Sequence, residues 1–413
     1  MLLIVAGYAL SFVVFGLVVD GPVDVFRGVV AILVARDVLI TDYVHVGGLG
    51  AAFVNAGLLT LLACGVHRLS RAKIDGAAVA CLLLVLGFAL FGKNLLNVWP
   101  GVAGTYLYAR YQRERFADHI NTAFFGAALA PVFSEILFST SLPLPARLPL
   151  ALGTSLIIGF VLPPIAKQLF RAHEGFTLYN IGFTAGTVGT VVVAVYKAYG
   201  FVPNPVMVWT SGHNLVLGVF LGVLFVLTAV LAFVVDRRAW RKLGPLNRLP
   251  GQSPTDFIAE VGLGPTLLNM AITGGIGTAY VLVVGGDLNG PVVGAIFSIV
   301  GFAAFGKHAR NILPIMAGIF LASLTKPWHL TDPSILFAAL FGTTLGPIAG
   351  RFGPHWGIVA GFLHSAVVLT VGTLTAGLNL YNNGFASGIV ASVLVPVILA
   401  WQRQRQTPTD AKP

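Results

Sequence analysis

The chain has 413 residues, of which 56% are hydrophobic and only 10% are charged, and its formal net charge is +10. Because a soluble domain carries about 25% charged residues, this composition excludes an ordinary soluble protein and predicts a lipid bilayer around most of the surface. The basic residues lie between apolar runs, as in the cytoplasmic loops of membrane proteins, and do not form the basic face that would indicate a nucleic-acid partner.

Apolar segments follow one another along the whole chain. Residues 2–19 form the first, and the absence of a basic region before them favours a retained membrane helix over a cleaved signal peptide. Further segments are expected at 44–64, 75–91, 93–109, 119–138, 148–169 and 176–196, then at 213–235, 266–284, 289–305, 307–323, 333–349, 356–375 and 382–401. Several have only about 17 residues, the short end of what crosses a bilayer, so we expect some to enter and return.

The second half of the chain repeats the first. Residues 87–93 read GFALFGK and residues 301–307 read GFAAFGK at a constant offset. The same offset joins four further identical pairs: Asn97 and Asn311, Pro100 and Pro314, Ala103 and Ala317, Gly104 and Gly318. Chance does not produce this agreement. It predicts two membrane repeats, residues 1–205 and 206–413, the second ending in a short basic tail at 402–413.

Other blocks recur in the same order. The pattern FGxxLxP occupies 125–131 and 341–347, and the pattern LYNxGFxxG occupies 178–186 and 380–388. A glycine block at 47–50 is paired with 274–277. Under that pairing Asn55 has no copy, because Leu282 stands at the matching position.

Equivalent loops of the two halves differ in charge. The loop after the leading helix is acidic in the first half (Asp20, Asp24) and basic in the second (237–248), whereas the next loop is basic in the first half (66–73) and has no basic residue near Asp287. Basic loops face the cytoplasm. We therefore predict an all-α polytopic membrane protein built from inverted-topology repeats with re-entrant or broken helices. It would lie in a prokaryotic plasma or inner membrane with both termini in the cytoplasm.

A lysine marks the point in each half where one apolar helix stops and another begins. We expect each helix pair to form a hairpin with Lys93 or Lys307 near its tip, where a helix N-terminus also favours negative charge. Asn97 and Asn311 follow four residues later, one helical turn on and on the same face. These four residues are candidate substrate-binding residues. Alternatively, the lysines reach the headgroups and the asparagines bridge helices.

The LYNxGFxxG blocks are the second candidate site. Asparagine and glycine directly after an apolar segment predict an unwound stretch whose polar backbone lines a cavity, since lipid would not tolerate it. The candidate substrate-binding residues here are Tyr179, Asn180, Tyr381 and Asn382. The alternative is close helix packing through small residues, with the tyrosines as interfacial anchors.

Unrepeated polar residues are weaker candidates. Glu135 could relay a proton or a cation, although such a residue more often lies near a helix end. Neither Cys64 nor Cys81 has metal-like spacing, and the sequence has no metal-ligand cluster and no hydrolase motif. We therefore expect no metal, no cofactor and no enzymatic activity.

Two resemblances to known families follow from these motifs. The repeated FGK-x3-N-x2-P motif, with LITDY at 39–43 leading into GGLGAAFVNAGL at 47–58, resembles a family of uncharacterised prokaryotic multi-pass membrane proteins with a duplicated domain of unknown function. This implies a duplicated membrane domain and no particular substrate. Less closely, GLNLYN at 377–382 is similar to a stretch of urea-transporter-like channels, whose threonine-proline-phenylalanine signature is absent here. That similarity implies a two-fold membrane fold.

The functional hypothesis is a transporter or channel that moves a small polar solute along the interface of the two repeats. An anion is favoured over a cation because the repeated charge is positive. The alternative is a non-transporting membrane scaffold or partner subunit. A homo-oligomer is compatible with both.

Overall fold

The computed structural model describes residues 1–37, 40–138, 142–203 and 206–406, and the chain is an all-α polytopic membrane protein. Ten helices within these residues are long and apolar enough to cross a membrane. All helices of the first half, long and short, are Leu2–Leu33, Tyr43–Gly47, Leu49–Leu69, Gly76–Phe88, Trp99–Tyr111, Ile120–Gly126, Ala130–Phe138, Leu144–His173 and Asn180–Ala198.

The second half has the same order of helices, with Leu243–Leu246 as one additional short helix. These are Asn214–Val235, Leu243–Leu246, Phe257–Val261, Leu263–Val283, Gly290–Phe302, Ala309–Ser323, Pro333–Phe341, Gly346–Phe352, Pro354–Val371 and Asn382–Gln406. Short 3-10 turns lie at Phe116–Asp118, Ala127–Leu129, Ala239–Lys242 and Gly342–Leu345. Two-residue strands, Ile40–Thr41 and Met207–Val208, form one parallel pair. The basic tail predicted at 402–413 lies outside the described residues from 407 onward.

The leading helix is longer than the predicted 2–19. It continues to Leu33 across a kink at Gly21, where φ is 74° and ψ is 161°. Pro22 follows the kink and removes a further helical hydrogen bond. Beyond it, the helix stays against Leu49–Leu69, since a β-carbon on Gly28 would approach the Ala51 β-carbon to 2.5 Å.

The predicted pairing of residues 47–50 with 274–277 is wrong. Gly48 precedes helix Leu49–Leu69 with a φ of 91°, and Gly262 precedes helix Leu263–Val283 with a φ of 95°. These two glycines have the offset that joins Lys93 to Lys307. At the same offset Asn55 does have a copy, which is Asn269.

Each half contains a re-entrant hairpin, as the short apolar segments predict. Hairpin 1 consists of Gly76–Phe88, the turn 89–98 and Trp99–Tyr111, and hairpin 2 consists of Gly290–Phe302, the turn 303–308 and Ala309–Ser323. A helix of 13 residues is about 20 Å long, whereas the hydrocarbon core is about 30 Å thick. Each helix of hairpin 1 therefore ends inside the membrane.

The first helices of the two hairpins cross at the centre of the protein. A β-carbon on Gly87 would approach the Gly294 carbonyl oxygen to 2.5 Å, and one on Gly76, at the start of its helix, would approach the Ala304 carbonyl oxygen beyond the end of the other helix to 2.3 Å. The two helices are therefore antiparallel. Since they are equivalent members of the repeats, the pseudo-two-fold axis is perpendicular to them and lies in the membrane plane, which confirms inverted topology.

A second helix of each half is broken. The span 120–138 is interrupted by the 3-10 turn Ala127–Leu129, and the span 333–352 by Gly342–Leu345. Both breaks fall on the repeated FGxxLxP pattern, where glycine is a poor helix former and proline removes a backbone donor. The sequence thus accounts for broken helices at equivalent positions.

We expect the loops 66–73 and 237–248 to lie on the same face of the membrane. In a background without Cys64 and Cys81, both of which are buried, Ser70→Cys and Gly244→Cys should react with a membrane-impermeant maleimide from the same side. Asp287→Cys should react from the other side. Labelling of Ser70→Cys and Gly244→Cys from opposite sides would contradict the inverted topology.

The helix crossing predicts that Gly87→Ala destabilises the protein. The added methyl group overlaps a backbone carbonyl, and overpacking of this kind costs about 1–3 kcal/mol. The thermal unfolding midpoint in detergent should therefore fall. Gly222→Ala is the matched control, because a β-carbon on Gly222 meets nothing within 4 Å; an equal loss of stability in both variants would argue against the crossing.

Candidate functional site

Two tyrosines, one from each half, meet at the centre of the protein. The ring centroids of Tyr179 and Tyr381 are 4.9 Å apart, and each residue is only 1% exposed. Each tyrosine ends an unwound segment, because the following helices begin at Asn180 and Asn382. The LYNxGFxxG blocks predict an unwound stretch at the asparagine and glycine, but only the Leu-Tyr residues before them are unwound, because Asn180 and Asn382 already begin helices. The structure brings together two of the candidate side chains that are 202 positions apart in the repeat pattern.

The broken helices supply hydrogen-bond acceptors to these unwound segments. The Leu178 backbone N–H donates to the Thr344 carbonyl oxygen at 3.2 Å, and the Leu380 N–H donates to the Ala128 carbonyl oxygen at 3.0 Å. Each bond joins an unwound segment of one half to the 3-10 turn of the other half. The unwound segments and the broken helices of opposite halves therefore satisfy each other's backbone hydrogen bonds across the repeat interface.

Lys307 is completely buried against Tyr179. Its Nζ donates to the Tyr179 hydroxyl at 2.7 Å, and that hydroxyl is 2.9 Å from the Ser298 hydroxyl. The ammonium also lies 4.6 Å from the centroid of the Tyr179 ring, within the range of a cation–π interaction. Lys307 therefore does not reach the headgroups, so the alternative role proposed for it does not fit its position.

Lys93 is equally buried but has a different partner. Its Nζ donates to the Phe124 carbonyl oxygen at 2.8 Å and lies 5.2 Å from the centroid of the Phe88 ring. The Tyr381 hydroxyl has no hydrogen-bond partner among the described residues. The cause is a sequence difference between the halves, since Leu84 stands where the other half has Ser298.

Neither lysine has an acidic side chain within ion-pair distance in the described ranges. A lysine ammonium has three N–H donors, and one hydrogen bond is recorded for each. The centre of the protein thus holds two buried lysine amino groups with unused donors.

Asn97 and Asn311 do not lie one helical turn beyond the lysines on the same face. That expectation is wrong because Lys93 and Lys307 lie in the turns 89–98 and 303–308, outside any helix. The amide nitrogens instead donate back into these turns, Asn97 to the Gly92 carbonyl oxygen at 3.0 Å and Asn311 to the Gly306 carbonyl oxygen at 2.9 Å. Both asparagines therefore hold the hairpin tips that carry the lysines.

Asn55 and Asn269, on the neighbouring helices, also hold the hairpin tips. The pairing of residues 47–50 with 274–277 does not identify them as a pair. The Asn55 Nδ2 donates to the carbonyl oxygens of Ala89 and Lys93 at 2.7 and 3.0 Å. The Asn269 Nδ2 donates to those of Ala303 and Lys307 at 2.9 and 2.8 Å. The constant offset of the GFAxFGK block, applied to the glycine block, would have identified this pair.

Asn180 and Asn382 anchor the starts of their helices. Asn180 contacts the His173 ring nitrogen Nε2 at 2.9 Å and donates to the Ala166 carbonyl oxygen at 3.2 Å. The Thr375 hydroxyl donates to Asn382 at 2.9 Å. Each asparagine also lines a cavity beside the tyrosine pair.

The two cavities are built from equivalent segments of the repeats. One, of about 140 Å³, includes Leu178, Asn180 and Phe305, and also both tyrosines. The other, of about 260 Å³, includes the equivalent residues Leu380, Asn382 and Phe91. Asn379 lines the second cavity, and its Nδ2 has no hydrogen-bond partner in the described chain. A pseudo-two-fold axis in the membrane plane relates the two cavities, so they lie on opposite sides of the midplane.

Glu135 is not a free carboxylate. Arg36 donates to its two oxygens at 2.9 and 2.6 Å, and the Glu135 side chain is 1% exposed. Glu135 lies in the helix Ala130–Phe138, three residues before its end. Among the described residues, no group of three or more His, Cys, Asp or Glu side chains could hold a metal ion.

The sequence profile of a family described as "Protein of unknown function (DUF1576)" matches residues 22–198 and 235–400. The chain belongs to this family. The two matched regions agree with the duplication that the DUF1576 chain has in its sequence and fold. No curated protein and no solved structure matches it, and nothing supports the resemblance to urea channels.

The two tyrosines should respond differently to loss of the hydroxyl group. Tyr179→Phe removes the acceptor of the buried Lys307 Nζ, which costs about 1–3 kcal/mol, so the unfolding midpoint should fall, whereas Ser298 keeps its bond to the Ala295 carbonyl oxygen. Tyr381→Phe removes a hydroxyl that has no partner and should leave stability unchanged or slightly higher. Equal destabilisation of the two variants would contradict this asymmetry.

Proposed function

We propose that this protein is a transporter or channel that moves a small solute with acceptor oxygens, such as a carboxylate or an inorganic oxyanion, between the two repeats. One observation carries the proposal: two buried lysines have no acidic partner in the described residues, and one of them, Lys307, donates to Tyr179 of a tyrosine pair that lines one of two equivalent cavities. The positive-inside rule applied to the basic loops supports a location in the cell membrane with both termini in the cytoplasm.

The energetic cost of the lysines supports a functional role. A charged side chain inside a membrane is expensive and is kept mainly where it serves a solute pathway or a relay. A buried charge is normally paired, and the partner that is lacking here is negative. An anionic solute would accept hydrogen bonds from an ammonium, and charge-assisted bonds of this kind are about twice as strong as neutral ones.

The neutral groups around the lysines favour the same class of solute. The unpartnered Asn379 Nδ2 is a donor only, and the Tyr381 hydroxyl can donate. Asn379 lies in the unwound segment that lines the larger cavity, and Tyr381 ends this segment at the tyrosine pair. A solute that enters from this cavity would thus meet donors before it reaches the lysines.

The fold offers a physical route for the solute to cross. The tyrosine pair lines the smaller cavity, and each tyrosine follows an unwound residue that is bonded to the opposite half. Movement of one half against the other would therefore displace the tyrosines and open one cavity toward the centre while the other stays closed. Alternating access in inverted repeats follows this pattern.

Solute flux into liposomes tests the proposal. The purified protein would be reconstituted and screened with radiolabelled mono- and dicarboxylates, phosphate, sulfate and nitrate, and with urea as a neutral polar solute. We expect flux of at least one anion and none of urea. Lys93→Met combined with Lys307→Met should reduce the flux at least tenfold, because the solute loses both of its charged partners.

A double variant with two exposed lysines is the matched control. Lys73→Met combined with Lys197→Met removes the same net charge from residues at the surface and should leave the flux unchanged. Intact flux in the Lys93/Lys307 double variant would refute their central role. If no solute is transported and the protein instead purifies with a second membrane protein, the scaffold or partner-subunit function would replace this one.

A further inference from the structure

A buried carboxylate that the solute site does not use lies next to the tip of hairpin 1. Asp37 lies in the segment after the leading helix and is 1% exposed. The Tyr43 hydroxyl donates to its Oδ1 at 2.8 Å, the Asn97 amide donates to its Oδ2 at 3.0 Å, and the Ser134 hydroxyl lies within hydrogen-bonding reach. All three donors are neutral.

Within residues 1–37, 40–138, 142–203 and 206–406, no basic side chain lies within ion-pair distance of Asp37. The Arg36–Glu135 pair adjoins Asp37, since Arg36 is its neighbour in the chain and Glu135 acts on it electrostatically. Glu135 contributes a like charge, and Arg36 already uses two donors on Glu135. The ionised Asp37 is therefore a negative charge inside the protein without a positive partner.

The hydrogen bonds around Asp37 can be arranged in two ways. The Asn97 Nδ2 carries two hydrogens, yet three acceptors lie within 3.1 Å of it, on Asp37, Gly92 and Ser134. When Asp37 is ionised, it takes one of these N–H groups and Gly92 takes the other. When a proton binds to the Asp37 carboxylate, the charge that attracts the N–H is gone, and the N–H can turn to the Ser134 oxygen.

The hydrogen-bond arrangement at Asp37 affects the solute site through Asn97. The same amide group holds the Gly92 carbonyl oxygen, in the peptide group that joins Gly92 to Lys93. A change in the Asn97 hydrogen bonds therefore acts directly on the turn that carries Lys93. The connection from Asp37 to this peptide group involves one side chain.

The second half has no equivalent of this carboxylate. Gly251 stands at the position of Asp37 and Gly350 at that of Ser134. Asn311 keeps its bond to the Gly306 carbonyl oxygen. The hairpin tips thus share a backbone arrangement, and only hairpin 1 has a group that can gain or lose a proton at this position.

We propose that Asp37 is a proton-binding site whose protonation is coupled to movement of hairpin 1, and hence to solute transport. The coupling role rests on the proposed function, whereas proton binding by Asp37 does not. The proton adds to one carboxylate oxygen and is released from it again, with no other bond formed or broken. The Arg36 side chain, 42% exposed, marks the side from which water approaches this cluster.

Infrared spectroscopy of the protein in lipid nanodiscs tests proton binding without any solute. A protonated carboxylic acid has a carbonyl stretch that a carboxylate lacks. We expect such a band to titrate with a midpoint above about 3.9, the ordinary value for aspartic acid, and to be lost in Asp37→Asn. Asp24→Asn is the matched control, because Asp24 is exposed on the leading helix, and it should keep the band.

A second variant covers the case in which Asp37→Asn does not fold. Ser134→Ala removes a donor that favours the ionised carboxylate, so the midpoint should rise. The proposal is overturned if the band is missing from the wild-type protein, if it stays in Asp37→Asn, or if Ser134→Ala leaves its midpoint unchanged. Loss of the band on addition of sodium at constant pH would overturn it in favour of a sodium site. Failure of the liposome screen would leave all of these outcomes readable.

Discussion

A peptide group that lies outside a helix in the middle of a bilayer must find its hydrogen-bond partner within the protein. This constraint governs the centre of the structure, where four helix interruptions and two hairpin turns lie close together. The unwound segments donate to the broken helices of the opposite half, through Leu178 to Thr344 and Leu380 to Ala128. The turns receive amide donors from Asn55 and Asn269. Each hairpin turn is therefore satisfied within its own half, whereas each unwound segment depends on the broken helix of the opposite half.

The same constraint explains why the hairpin helices form the core and the longer helices surround them. All thirteen residues of Gly290–Phe302 are buried, whereas Asn214–Val235 leaves many large apolar side chains exposed for lipid. Lipid supplies no hydrophobic force between helices, so close contact depends on small residues. Gly87 and Gly294 provide that contact where the two halves cross.

The sequence predicts the repeat, the inverted topology and the hairpins because each has a local signal: an identical motif, a charged loop or a short apolar segment. It does not predict the face on which a side chain lies once the chain leaves a helix. Asn97 was placed beside Lys93 by counting helical turns, but the turn 89–98 directs its amide to the backbone and to Asp37. Asp37 itself has no copy and no motif. Its burial results from tertiary packing of the hairpin tip, so nothing in the local sequence distinguishes it from an exposed loop residue.

The backbone of the two halves is more symmetric than their side chains, and this difference has a functional consequence. Under the proposed transport function, two equivalent halves would exchange conformations across the pseudo-two-fold axis, which would give an outward-facing and an inward-facing state of similar energy. Differences between the side chains of the two halves would make the energies of the two states unequal. Lys307 binds a tyrosine hydroxyl that Ser298 also contacts, whereas Lys93 binds a backbone carbonyl.

The hairpin tips differ even more. Beside the tip of hairpin 1, Asp37 is the carboxylate that Arg36 does not pair, since Arg36 is bonded to Glu135, whereas Arg248 and Arg310 line a cavity of about 230 Å³ at the tip of hairpin 2. Arg351 stands at the position that corresponds to Glu135. In the proposed transporter, a membrane potential would therefore act with opposite sign on the charges of the two tips, whereas a pH difference would act on Asp37, because an arginine guanidinium stays protonated. The symmetric backbone would make the exchange of states feasible, and the asymmetric charges would give it a direction.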